Sequence, residues 1–321
     1  MTEAAKTVLT TYEVRKTRKQ KEAFRAYLCQ ELEKLGYAPR VEPGRVLVMN
    51  HNVVAGDPEK AKVLFTAHYD TCAVLPFPNF ITPRNLPVFL LYQIAIAALF
   101  LALAIGVEVG LLLAFDPPLW VVLLAMYAVL AFCVWWMLAG KANRHTANDN
   151  TSGVVTLLEI AAALPVELRD TVCFLWFDNE EKGLFGSSAF VSAHRRVKAD
   201  TLILNFDCVG DGDHLQFFPS RTVKKDPASM DLLEKTFFTQ GSKTVEIVRG
   251  FGLYPSDQAL FRRGVGIAAL KKAPVIGYYM NRIHTCRDTV LEEENVQLLR
   301  DGAVRLAGTL TEQKDGLHHA G

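Results

Sequence analysis

Between Asn85 and Gly140 the chain carries only two charged residues, Glu108 and Asp116, and no lysine or arginine. Leu86 to Val107 is an unbroken run of 22 uncharged residues, and Leu119 to Ala139 is another of 21. A hydrocarbon core about 30 Å thick is crossed by about 20 residues of helix, so either run is long enough. The first holds 13 Leu, Ile, Val or Phe residues. At about −0.3 to −0.6 kcal/mol each, they favour insertion by on the order of 4 to 8 kcal/mol, an upper bound because the scale applies at the bilayer centre. The competing reading is two core helices buried on every side. Neither run has a polar face, which favours a membrane hairpin turned by "AFDPPLW".

Two crossings return the chain to the side it left. Arg84 precedes the hairpin, Lys141 and Arg144 follow it, and the short connection holds only acids. The positive-inside rule then places both long flanks on the cytoplasmic side. The expected organisation is one discontinuous domain, residues 1–84 and 141–321, interrupted by an inserted hairpin at 85–140, with residues 86–107 and 119–139 meeting the lipid bilayer. The start, "MTEAAKTVLTTYE", shows no apolar signal region. With 35 basic against 34 acidic residues, the charge balance argues against a nucleic-acid partner held through phosphates. Cysteines 29, 72, 133, 173, 208 and 286 have no CxxC spacing and read as reduced, mostly buried thiols.

Residues 11–35 read as a helix stopped by Gly36. The run "RKTRKQK" reads as its solvated face, with contact to anionic lipid as the second reading. Three later segments, "KVLFTAHYD" (62–70), "TVCFLWFDNEE" (171–181) and "TLILNFD" (201–207), are apolar runs ending in His, Asp or Glu. Such runs suit strands buried on both faces. Helical patterns lie between them at 152–164 and 185–196. Strands alternating with helices give the expected fold class: α/β, with a mostly parallel central sheet flanked by helices and interrupted by the hairpin. In such sheets the ligand site lies beyond the carboxyl ends of the strands, where these acids and the histidine fall.

Each signal is weak alone. Adjacent glutamates often only solvate a helix, as in "LEEEN" at 291–295. Asp149 in "NDNTSG" has the residue types of a helix cap, and His284 alone reads as an ordinary loop histidine. Together, five stretches in order are specific: "HYD" at 68–70, "ANDNTSGV" at 147–154, "NEEKGLFGS" at 179–187, "NFD" at 205–207 and "HTCRDT" at 284–289. They resemble the zinc-dependent aminopeptidases of metallopeptidase family twenty-eight, whose relatives include glutaminyl cyclases and the transferrin-receptor ectodomain. The resemblance covers roughly residues 10–313 apart from the hairpin.

The resemblance implies a two-metal exopeptidase, an aminopeptidase acting on peptides, with two divalent ions, zinc by family habit. Asp149 would bridge the two ions. His68 and Asp207 would hold one, and Glu181 and His284 the other. Asp70 would orient His68, and Glu180 would be the general base. Carboxylate and imidazole ligands suit catalytic zinc, whereas structural zinc is usually rich in cysteine. Asp288 is expected to support the neighbourhood of His284. The chain departs from the family at Gln258 in "YPSDQALF", where the family often has histidine, and in the hairpin itself, which is expected to bring the site near the membrane surface. Two alternatives stand beside this reading: a non-catalytic membrane interaction protein on the same fold, and an acyltransferase of the glutaminyl-cyclase type.

Overall fold

The computed structural model describes the backbone of residues 1–318 and the side chains of residues 1–312. The strands are β1 (Pro39–Arg45), β2 (Met49–Ala55), β3 (Val63–His68), β4 (Val172–Phe177), β5 (Leu202–Phe206), β6 (His214–Pro219), β7 (Thr244–Ile247), β8 (Gly264–Ala273) and β9 (Gly277–Tyr279). The helices are α1 (Glu3–Thr11), α2 (Arg18–Lys34), α3 (Leu86–Phe115), α4 (Leu119–Ala139), α5 (Gly153–Ala163), α6 (Phe185–Ala193), α7 (Arg195–Asp200), α8 (Arg221–Lys224), α9 (Pro227–Thr236) and α10 (Glu293–His318).

The three apolar runs become β3, β4 and β5, every residue of which is buried. Alternate side chains point to opposite faces, and both faces are covered. Val63, Phe65 and Ala67 join a core with Phe24 and Leu28 of α2, Leu157 of α5 and Leu299 of α10. Leu64 joins a second core with Phe190 of α6 and Val197 of α7. The sheet order is β1-β2-β4-β3-β5-β8-β6-β7, with β9 paired to β8. The centre, β4-β3-β5-β8, is parallel as expected. Antiparallel pairs β1–β2, β2–β4, β6–β8 and β8–β9 flank it, so the sheet as a whole is mixed.

The N-terminal region departs from the single helix expected over 11–35. Two helices form, broken at 12–17, and Thr17 starts α2 with a reciprocal capping box to Gln20. Gly36 does stop it, at φ +85°. The basic run is not simply a solvated face. Arg15 is fully buried and donates to the carbonyls of Tyr12 and Tyr69 and to Thr151. Lys21 pairs with buried Asp178 at 2.6 Å.

The central apolar region forms two helices long and apolar enough to cross a membrane. At 1.5 Å per residue, the 30 residues of α3 span about 45 Å and the 21 of α4 about 32 Å. The first runs eight residues beyond Val107, past Glu108, and ends at Asp116 in the left-handed region. Only Ala104 of α3 and Val122 and Cys133 of α4 are buried, so the two are not core helices. The chain segments before α3 and after α4 meet: Ala73 bridges Ala142, and Val74 N–H donates to the Lys141 carbonyl. Among the described residues all six cysteines are free; four are buried, Cys29 is half-buried and Cys286 is exposed.

Candidate active site

The sheet register sets the first contacts. His68, the last residue of β3, pairs with Phe177, the last of β4. Glu180 and Glu181 therefore follow three and four residues past the level of His68. Thr66 pairs with Asn205, so the step of two residues that takes Thr66 to His68 takes Asn205 to Asp207. The third acid of "DNEE", Asp178, stays out of the site: it binds Lys21 and accepts the His51 backbone N–H at 3.0 Å.

Asp149 comes from the loop before α5. It caps no helix: the N-cap of α5 is Ser152, while Asn150 Oδ1 accepts the Gly153 N–H at 3.0 Å. Asn150 also donates to the Phe206 carbonyl and accepts from Cys208 N–H, while Asn148 Oδ1 accepts from Gly210 and Asp211. The two asparagines thus rivet the loop to the end of β5. Gly153 permits this approach, because a Cβ there would stand 2.2 Å from the Phe206 carbonyl oxygen.

The five residues expected as ligands converge in two groups around Asp149. Its Oδ1 lies 3.4 Å from His68 Nε2, which lies 3.5 Å from Asp207 Oδ1. Its Oδ2 lies 3.0 Å from His284 Nε2, which lies 3.4 Å from Glu181 Oε2. Most of these gaps are long for hydrogen bonds. They match the spacing of about 3.3–3.4 Å between ligands held about 2.0–2.1 Å from a tetrahedral zinc. Glu181 Oε1 is buried with no hydrogen-bond partner among the described residues. Buried charges are paired or bind metals, and Asp149, Glu181 and Asp207 gather around only two histidines. The donor set fits divalent cations.

Electrostatics follow from this crowding. Burial pushes Glu180 and Glu181 well above the usual carboxylate range, aided by Asp257 for the first and Asp149 for the second. Burial opposes charge on His68, yet Glu180, Asp149 and Asp207 outweigh it and hold the imidazole well above its ordinary value. Asp149 is lowered: the hydrogen bonds and charges of the two histidines outweigh its burial.

The supporting contacts differ in detail from expectation. Asp70 meets His68 through its backbone: the carbonyl lies 3.1 Å from Nδ1, the carboxylate 3.7 Å. The carboxylate instead accepts the backbone N–H of Glu180 at 2.9 Å and of Glu181 at 3.3 Å, which fixes both glutamates. Asp288 makes no hydrogen bond or ion pair with His284 among the described residues; it accepts the N–H of Asn148 at 2.8 Å and of Asp149 at 3.0 Å, beside the carboxylate that His284 faces. Gln258 bonds to Asn205 and Tyr254.

Two residues were not anticipated. Asp257 is fully buried, neither of its oxygens has a partner among the described residues, and burial lifts its carboxyl to about 7. Its only sequence signal was its place in "YPSDQALF". Cys72 stands with Glu181 and His284, its thiol within 4.8 Å of their ligand atoms, and burial raises its pKa well above normal. A cavity of about 230 Å³ opens onto His68, Asp149, Glu180 and Glu181, with Tyr254 and Met280 on its far wall.

Known proteins resemble the chain. It is 35% identical over 107 residues to the probable leucine aminopeptidase 2 of Arthroderma benhamiae, covering 29% of this chain and 21% of that one. It is 25% identical over 167 residues to the probable leucine aminopeptidase of Arthroderma otae, covering 50% and 46%. The chain thus spans less than half the length of either relative. Among solved structures, a glutaminyl cyclase from Porphyromonas gingivalis superposes with a TM-score of 0.58 at 17% identity, covering 97% of this chain and 98% of that one. A Zn-dependent exopeptidase from Parabacteroides distasonis gives 0.56 at 15% identity, covering 95% and 94%. These structures share the fold. Residues 134–305, more than half of the sequence, match peptidase family M28, and the chain belongs to that family.

Proposed function

We propose that the protein is a membrane-anchored exopeptidase with two metal ions, an aminopeptidase that hydrolyses the first peptide bond of a chain with a free amino terminus. The observation that carries this reading is the pose of Asp149, whose two oxygens face His68 and His284 separately. A carboxylate so placed can serve two ions at once. His68 and Asp207 would complete one set, and Glu181 and His284 the other. Divalent ions held there, zinc in this reading, would supply a water of lowered pKa and a Lewis acid for the scissile carbonyl.

Glu180 lines the same cavity without being needed as a ligand. Its carboxylate, in the cavity beside the expected ligands, is placed to take a proton from water at an oxygen and return it to the leaving amine. The carboxylate of Asp70 holds the backbone of both glutamates, which keeps the proton carrier and the ligand in different orientations. The acid-rich cavity also suits the cationic amine of a free N-terminus.

In this reading residues 1–84 and 141–321 form one catalytic domain and residues 85–140 the inserted hairpin. The hairpin would cross the bilayer twice, with Trp120 and Trp135, both exposed near opposite ends of α4, at the two interfaces where tryptophan concentrates. The basic flanks Arg84, Lys141 and Arg144 support a cytoplasmic catalytic domain. The test is a panel of peptides with free and N-acetylated termini, given to protein purified in mild detergent. Cleavage only of the free termini is expected. Cyclisation of N-terminal glutamine would replace this reading with the cyclase one, and no turnover with no bound metal would leave a non-catalytic scaffold.

A further inference from the structure

The cavity over Asp149 has a neighbour. A second chamber of about 120 Å³ shares Asn79, Glu181 and His284 with it. Its floor is the Glu181–His284 half of the site, and its walls are mainly apolar, with Asn79 and Gln93 the polar exceptions. Leu75 and Phe77 come from the loop after β3, Tyr92 and Ile96 from the first turns of α3, and Met137 and Leu138 from the last turn of α4. The hairpin therefore supplies two sides of a chamber that opens directly on the residues expected to work.

The chamber is built rather than incidental. Tyr92, Ile96 and Phe100 recur at a spacing of four and are the half-buried face of α3, while most neighbouring positions are exposed. The Tyr92 hydroxyl donates to the Pro78 carbonyl, Phe80 meets Tyr92 edge-on, and Phe77 packs on Phe100 at 6.0 Å. Leu75 N–H donates to the His284 carbonyl at 2.8 Å, so the wall and the ligand loop are one piece. At the other end, Lys16 Nζ donates to the Leu138 carbonyl at 2.9 Å and pins the end of α4.

Charge decides which part of a peptide each space would take. Glu180 and Asp207 face only the first cavity, so the amino-terminal residue belongs there. The scissile bond then lies near Asp149, and the next residue points past Glu181 and His284. We propose that the hairpin forms an apolar subsite for the side chain of the second residue of the peptide, one of leucine or phenylalanine size. This rests on the exopeptidase reading and adds to it the substrate class.

Ile96→Trp fills the chamber and Ile96→Ala widens it; neither touches an expected ligand. The measurement is kcat/KM for Ala-Gly, Ala-Leu and Leu-Gly peptides of equal length, with metal content checked in each protein. A hydrophobic pocket discriminates by about 10–200-fold, so wild type should prefer Ala-Leu over Ala-Gly by at least about tenfold. Ile96→Trp should erase that preference while leaving the Leu-Gly to Ala-Gly ratio unchanged, and Ile96→Ala should extend it to a tryptophan in second position. Equal movement of both ratios, or of neither, overturns the proposal. Binding of the same peptides to Glu180→Gln separates the two ideas. If the wild type cleaves nothing, the exopeptidase reading fails alone when Ala-Leu still binds more tightly than Ala-Gly and Ile96→Trp removes the difference; the subsite fails when binding shows no such difference.

Discussion

The two halves of the site around Asp149 are held in different ways. His68 and Asp207 terminate adjacent parallel strands in the middle of the sheet, and their side chains are 1% and 9% exposed. Glu181 and His284 sit on loops, 10% and 17% exposed, and His284 adopts a positive φ of 61°. One half has its position dictated by strand pairing. The other is set by loop contacts that run into the hairpin: Leu75 to His284, Asn143 to Thr285, Asp70 to Glu181. The fold thus places one half through the sheet itself and the other through hydrogen bonds between loops.

The largest effect expected is from Asp149→Ala, the one residue common to both halves. Both ions and all turnover should be lost, as read by metal analysis and peptide cleavage; retention of a full ion in either half would mean the halves do not share it. Next, Glu180→Gln should lower kcat by about 10²–10⁴ with metal content intact. A comparable loss of metal would make Glu180 a ligand instead. The comparison itself is sharpened by His68→Ala against His284→Ala in a chelator titration. Each should lose one ion, and His284→Ala should retain the strand-side ion with an unchanged midpoint. Simultaneous loss of both ions in both variants would show a single inseparable centre.

A smaller effect is expected at Asp288, whose carboxylate accepts the successive N–H groups of Asn148 and Asp149. Asp288→Ala should weaken metal binding by about 10–100-fold, as for residues that orient ligands, with little change in KM. The smallest concerns a control remote from both halves. Burial raises the phenol of Tyr37 to about 12. Its contribution to stability is therefore fully present below pH about 10, where the unfolded chain begins to ionise, and is lost as pH rises toward about 12. Tyr37→Phe should flatten that alkaline loss in a denaturation series without altering metal binding.

The strand half was the more readable of the two from sequence, for a physical reason. A strand buried on both faces must be apolar throughout, so "KVLFTAH" and "TLILNFD" announce themselves, and a polar residue at their ends is conspicuous. The antiparallel edges lacked that signal. β2 carries Asn50 and Asn52 facing inward, both fully or nearly buried, and they bond Asn179 and Gly186 rather than follow an alternating pattern. In the loop half, Glu181 was signalled by the apolar run before it, but His284 was visible only through resemblance, since nothing local separates it from an ordinary loop histidine. Contacts made through the backbone were not legible at all. The carboxylate of Asp70 goes to the N–H groups of Glu180 and Glu181, and that of Asp288 to Asn148 and Asp149. Asp257 shows the same limit: its burial comes from β5 and β8 closing over a short turn, which no local pattern encodes. The apolar runs 86–107 and 119–139 gave the helices, and their exposure in the fold removes the core-helix reading.

In the proposed centre Asp149 is shared by two ions, one in each half. The direct measurement is the number of divalent metal ions bound per chain after purification in mild detergent with added zinc and removal of the excess. The account predicts two per chain in wild type and two in Glu180→Gln. One ion per chain, with His68 or Asp207 replaceable by alanine at no cost to it, would contradict the claim.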